Sequence, residues 1–78
     1  MTTVQFNASG RWVLHQLLNE DDPLLERILE YGIMDPVPFY TPDEIQRLVD
    51  VLEEYDSTDV HVMNTELRLK QALSGFHE

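Results

Sequence analysis

Glu26, Glu30, Asp43, Asp50, Glu53 and Glu54 are the residues of this chain with the best claim to chemistry. Paired carboxylates can do general acid–base work when their surroundings push their proton affinities apart, and that requires burial. The spacing here argues the other way. On helices over the two stretches that carry them, these six fall opposite the apolar residues. The expectation is a solvated face that binds a partner, with no catalytic, cofactor-binding or metal-binding residues and no enzymatic activity.

The other reactive types are sparse. His15, His61 and His77 form neither a His-x-x-x-His pair nor the Glu-x-x-His spacing of a di-metal bundle. His15 reads as a histidine at the edge of an apolar face with its ring hydrogen-bonded, and His77 as part of a tail. Asn19-Glu20-Asp21-Asp22 lacks the alternating ligands and turn glycine of a calcium loop. Ser9, Ser57 and Ser74 sit in no Gly-x-Ser-x-Gly elbow, and there is no phosphate-cradling glycine loop. With no cysteine, thiolate chemistry and disulfide staples are excluded.

The charge is concentrated. Thirteen of the fifteen carboxylates lie between Glu20 and Asp59, offset there only by Arg27 and Arg47, so that stretch is −11 (2 minus 13) in a chain of −10. Such a field suits a cationic partner and repels nucleic acid and anionic lipid. Direct phosphate binding needs clustered Lys and Arg, which five scattered basic residues do not supply. Nucleic-acid mimicry is the opposite case. Duplex DNA carries a charge about every 1.7 Å along its axis, and a helix rising about 1.5 Å per residue displays carboxylates at lower but comparable density. Asp43, Asp50 and Glu54 share one side of a helix, and Glu26 and Glu30 add a second row. Small acidic inhibitors from phages and mobile elements, anti-CRISPR proteins among them, share this size and charge. Tyr31, Phe39 and Tyr40 stand beside the acidic stretch as candidate apolar anchors for such a partner.

The elements that position these residues are legible from punctuation and period. Val4 and Phe6 alternate with polar neighbours, so residues 1–6 fit a single short strand or a docked tail, and with no second strand pattern obvious a tail is expected. A first helix is expected from about Ala8 to Leu18, capped by Asn7 or Ser9, with Val13, Leu14, Leu17 and Leu18 inward and Trp12 flanking. A second starts with Asp22 as cap and Pro23 at its first position, buries Leu24, Leu25, Ile28 and Leu29, and ends at Gly32 in the left-handed conformation. Ile33 to Tyr40, with Pro36 and Pro38, reads as an extended connector packed across the helices. Thr41-Pro42-Asp43-Glu44 is a capping box, with Tyr40 and Ile45 at the staple positions. Ile45, Leu48, Val49, Leu52 and Tyr55 continue that third helix. Asp56 is expected to cap a fourth, with Val60, Met63 and Leu67 on one face and Leu69, Ala72, Leu73 and Phe76 on a neighbouring one. The drift between those faces suggests a break near Asn64-Thr65, and Val60 to Met63 fits either helix or a short strand.

Part of the chain resembles the bacterial YfbM-like proteins. Leu14-His15-Gln16-Leu17-Leu18, Asp22-Pro23-Leu24, Ile28-Leu29-Glu30-Tyr31-Gly32 and Phe39-Tyr40-Thr41-Pro42-Asp43-Glu44-Ile45 follow the order of that family's middle segment. The likeness covers residues 10–60, with Asn19-Glu20 where the family has Thr-Gly. It implies a helical core and no particular reaction.

Taken together, 78 residues with 42% apolar content predict a single small acidic all-α domain, a compact bundle of about four short helices with a packed Pro-containing connector. The absence of a signal-peptide pattern in residues 1–6 and of a membrane-length apolar run makes the expected location cytoplasmic. The expected function is a protein-interaction module for a basic surface, including that of a nucleic-acid-handling complex. The alternative is a YfbM-like structural domain whose acidity only confers solubility. Homodimerisation is a route by which so short a chain gains core.

Overall fold

The computed structural model describes residues 2–56 and 58–76. Its elements are β1 (Thr2–Gln5), α1 (Ala8–Leu17), α2 (Pro23–Leu29), β2 (Pro36–Phe39), α3 (Pro42–Tyr55) and α4 (Val60–Ser74). Among the described residues four helices form a small bundle as the pattern predicts, and a two-stranded sheet closes one side. The Cα radius of gyration is 11.2 Å, against about 11.5 Å expected for a compact domain of this length.

The sheet corrects the reading of residues 1–6 as a tail. β1 pairs antiparallel with β2 in the register Thr3↔Pro38, Val4↔Val37 and Gln5↔Pro36. The prolines do not prevent this, because they are two residues apart and both missing donors fall on one edge of the ladder. The alternation of β1 then places Val4, and Phe6 just beyond it, against the core beside Val37 and Phe39. Phe6 and Phe39 meet edge to face at 6.2 Å between centroids. The connector is thus half strand: Val37 and Phe39 turn inward, while Ile33 and Met34, ahead of β2, are exposed.

Helix starts follow capping chemistry. Asn7 Oδ1 accepts from Gly10 N at 2.7 Å and begins α1. Asp22 Oδ1 accepts from Leu24 N at 2.9 Å, with Pro23 at the first position of α2. The capping box of α3 is present, with Glu44 Oε1 accepting from Tyr40 N at 2.7 Å and Thr41 N at 3.1 Å.

Helix ends depart from expectation in two places. α2 stops at Leu29, and Gly32 does not take a positive φ. Its lack of a side chain serves a close approach instead: Gly32 N donates to Asp35 Oδ2 at 3.0 Å, and a Cβ there would stand 2.7 Å from that oxygen. The left-handed residue of this loop is Met34, at φ 67°. At the next corner, Asp56 is the C-cap of α3, left-handed at φ 51°, and its N–H donates to Leu52 O. Aspartate tolerates that conformation better than most residues. The cap of α4 is Asp59, whose Oδ1 accepts from His61 N at 2.8 Å.

α4 is one unbroken helix, which settles Val60 to Met63 as helical. Its inward face is Val62, Thr65 and Leu69, followed by the partly buried Ala72, Leu73 and Phe76. Val60, Met63 and Leu67, expected to pack, are exposed. Leu17, Leu29 and Tyr55 are likewise more exposed than their apolar stripes suggest. The core is centred on Phe6, Leu14, Leu25, Ile28, Phe39, Ile45, Leu48 and Leu69. α4 packs chiefly on α3, and also on α1 and β1. No described helix is long and apolar enough to cross a membrane.

Candidate partner-binding surface

The solvent face of α3 runs Asp43, Gln46, Arg47, Asp50, Glu53 and Glu54, the i, i+3, i+4, i+7 progression of one helix side. Its inward face is Ile45, Leu48, Val49 and Leu52, all buried, so the amphipathic division fixes the carboxylates outward. On α2, the buried Leu24, Leu25 and Ile28 leave Glu26 and, at its C-terminal end, Glu30 exposed. The six carboxylates named from the sequence are therefore all at the surface.

The cations are used differently. Arg47 sits in the acidic stripe but is bidentate to Asp22, with Nη1 3.2 Å from Oδ1 and Nη2 bonded to Oδ2. Asp22 is buried, so this pair neutralises an interior charge as well as tying α3 to the start of α2. Arg27 Nη1 binds Glu44 Oε2 at 2.7 Å, and its Cζ lies 5.1 Å from the Tyr40 ring centroid and 5.9 Å from that of Phe39. Arg11 donates to Tyr31 O at 2.6 Å, and Arg68 to Gln5 O at 3.3 Å. Lys70 reaches Glu53 at 3.1 Å and Glu66 at 3.9 Å. All five basic side chains of the chain are thus engaged inside the fold.

The carboxylates are mostly not so engaged. Asp50 accepts from Gln46 Nε2 at 2.9 Å, and Glu53 holds Lys70. Among the described residues, Glu26, Glu30, Asp43 and Glu54 make no ion pair. Two titratable groups respond to their neighbours. Burial pushes the Glu44 carboxyl up, but the Tyr40 amide, the Arg27 guanidinium and the Thr41 amide together hold it below its ordinary value. The Glu53 hydrogen bond, with the charge of Glu66, raises Lys70.

The aromatic anchors expected beside the acidic stretch need correction. Phe39 is fully buried and belongs to the core, since β2 pairing turns it inward. Tyr31 is half-buried and packs on the core edge. Tyr40 is exposed, with Arg27 over its ring. The exposed aromatics that pattern reading did not select are Trp12 and Tyr55, 61% and 45% accessible. They line one groove of about 430 Å³ between α1 and the α3–α4 corner, together with Ala8, Ser9, Asp59 and Val62. Each stands at the margin of its helix's apolar stripe, Trp12 beside Val13 and Tyr55 at the last position of α3, where tertiary packing decides exposure.

His15 is exposed, and its ring makes no hydrogen bond with a described residue, contrary to expectation. Among the described residues no group of three or more His, Asp or Glu side chains is placed to hold a metal ion. Ser57 and His77 lie outside the described residues.

The fold and surface define a class: a small acidic helical bundle with a two-stranded cover. No family model, curated protein or solved structure matches the chain.

Proposed function

We propose that this chain is a non-enzymatic protein-interaction module whose acidic α2–α3 face engages a basic surface of a partner. A surface that otherwise binds nucleic acid fits this face best, and the chain would then act as an inhibitor by occupying it. The observation that carries the reading is the allocation of charge. Every Lys and Arg is bonded within the fold, while Glu26, Glu30, Asp43 and Glu54 have no ion-pair partner among the described residues. Along α3, Asp43 and Asp50 stand about 10 Å apart and Glu54 about 6 Å further, a row of negative charge on a rigid support. Complementary charge of this kind mostly speeds encounter and selects partners.

The test is capture of basic, nucleic-acid-handling proteins by the native chain at low salt, with release at high salt. The control is Glu26→Lys, Glu30→Lys, Asp50→Lys and Glu54→Lys combined, which moves the formal charge from −10 to −2 (four reversals of two charges each). Loss of capture by a folded variant is expected. Equal capture by both proteins would instead favour a domain whose acidity only keeps it in solution.

A further inference from the structure

The groove between Trp12 and Tyr55 has a composition the fold already uses elsewhere. Inside the molecule, Arg27 is held by one carboxylate, Glu44 at 2.7 Å, and two aromatic rings, Phe39 and Tyr40, at 5.9 and 5.1 Å. The groove is lined by two aromatic side chains and one carboxylate, Asp59, whose Oδ1 also accepts from His61 N as the cap of α4, and its lining holds no Lys or Arg. We propose that it takes one arginine side chain of the basic partner, and so anchors the complex that the acidic face attracts. This inference rests on the interaction reading above and names where that reading's specificity lies.

Three observations converge on arginine. Trp12 is the chain's single tryptophan, and it is 61% exposed. Tryptophan and tyrosine are the residues most enriched where binding energy concentrates, and tryptophan is the best ring for a cation. Beside the two rings the groove is walled by Ala8, Val13 and Val62, apolar side chains that suit the methylene stem of an arginine. Its neighbourhood is acidic: Asp59 lines it, and Glu54 and Asp56 flank Tyr55 in sequence. A guanidinium is planar and weakly hydrated, so it stacks on rings where an ammonium does not. A second copy of this chain is the poorer occupant, because all five of its cations are already bonded within their own fold.

Trp12 is also the reporter. The probes are acetylated, amidated hexa-arginine and hexa-lysine, equal in charge, titrated into the full chain at low salt and at about 0.15 M while tryptophan emission is followed. Hexa-arginine should perturb the emission saturably and bind about three- to tenfold tighter than hexa-lysine. Tyr55→Leu should abolish that preference while both peptides still bind. In Trp12→Leu, read by anisotropy of labelled peptides, the preference should also vanish. The quadruple lysine variant should weaken both peptides to a similar degree. Circular dichroism confirms folding, which substitutions at exposed positions leave intact. Equal affinity for the two peptides, or a preference that survives both leucine variants, would overturn the groove and leave the acidic face standing. Failure of both peptides to bind at low salt would overturn the groove and the acidic face together. A native dimer in sedimentation that becomes monomeric in Trp12→Leu would assign the groove to a second copy and overturn the arginine proposal.

Discussion

Gly10 and Thr65 bring α1 and α4 together so closely that a Cβ on Gly10 would stand 2.1 Å from Thr65 Oγ1. Thr65 is fully buried, and its hydroxyl lies 3.1 Å from His61 O and 3.3 Å from Asn7 Oδ1. Asn7 in turn caps α1 through Gly10 N and donates to His61 O at 3.0 Å. One small polar network therefore caps a helix and fixes a helix crossing. The clash involves the Thr65 Cβ at 2.8 Å as well as its hydroxyl, so no rotamer change of Thr65 relieves it.

Gly10→Ala should accordingly cost about 1–3 kcal/mol by overpacking, despite alanine's better helix propensity. Thr65→Ala removes the hydroxyl and methyl and gives back part of that space. The double variant should be more stable than the sum of the two single effects, a coupling of about 1 kcal/mol or more in urea unfolding. Strict additivity would show that the two helices can move apart freely at this crossing.

Asp22 and Arg47 predict an asymmetry. Arg47→Met leaves a buried carboxylate without its cation and should cost about 2–3 kcal/mol. Asp22→Asn retains a good N-cap and leaves Arg47, whose side chain is 54% exposed, able to hydrate. It should cost about half as much or less. Thermal unfolding of the two variants at neutral pH distinguishes them, and equal losses would mean that the pair acts mainly through mutual attraction.

Much of the fold was legible where one residue type has one local use. Asn7, Asp22-Pro23 and the Thr41 to Glu44 box marked three helix starts because capping chemistry acts within four residues. The sheet was not legible: β1 has four residues, and its partner carries two prolines whose harmlessness depends on which edge faces the neighbour. The face of α4 was not legible either, because its inward stripe, Val62, Thr65, Leu69, contains a polar residue whose burial depends on Gly10, far away in sequence. The competing stripe Val60, Met63, Leu67 is more apolar and stays exposed. Of the surface, the outward carboxylates followed from amphipathic period. Which aromatics face water did not, since burial of Phe39 and exposure of Trp12 are both set by tertiary packing.

Glu44 gives the pH dependence a sign. Its carboxyl is held below the ordinary value of 4.5 despite partial burial, by the Tyr40 amide, Arg27 and the Thr41 amide. A depressed folded value means stability that is complete above the unfolded value and lost as pH falls through the folded one. Glu44→Gln keeps an acceptor for the capping box but removes the charge. It should be less stable than the native chain by about 1 kcal/mol at neutral pH. The gap should shrink as pH falls below 4.5 and the native carboxyl protonates. Lys70, raised by Glu53 and Glu66, acts at the alkaline end: its contribution is complete below its ordinary value of 10.5 and lost as pH rises past the folded one. Chemical denaturation of the native chain and Glu44→Gln across the acid limb checks this, and a gap independent of pH would assign the effect to packing.

The allocation of charge has a cost measurable without any partner. Carboxylates lacking local cations repel one another across α2 and α3, and salt screens such exposed charges over about 10 Å at 0.1 M. The half-buried pairs Arg27–Glu44 and Arg47–Asp22 are screened less, so repulsion should dominate the salt response. The melting temperature should therefore rise between low salt and about 0.15 M sodium chloride, a salt chosen over sulfate because sulfate strengthens apolar burial by itself. Glu26→Gln, Glu30→Gln, Asp50→Asn and Glu54→Gln combined should melt higher than the native chain at low salt and respond less to added salt. The same variant should bind hexa-arginine more weakly, because residues retained at the expense of stability are the ones expected to serve binding. A neutralised variant that gains stability and loses nothing in binding would separate the charge from the function proposed for it.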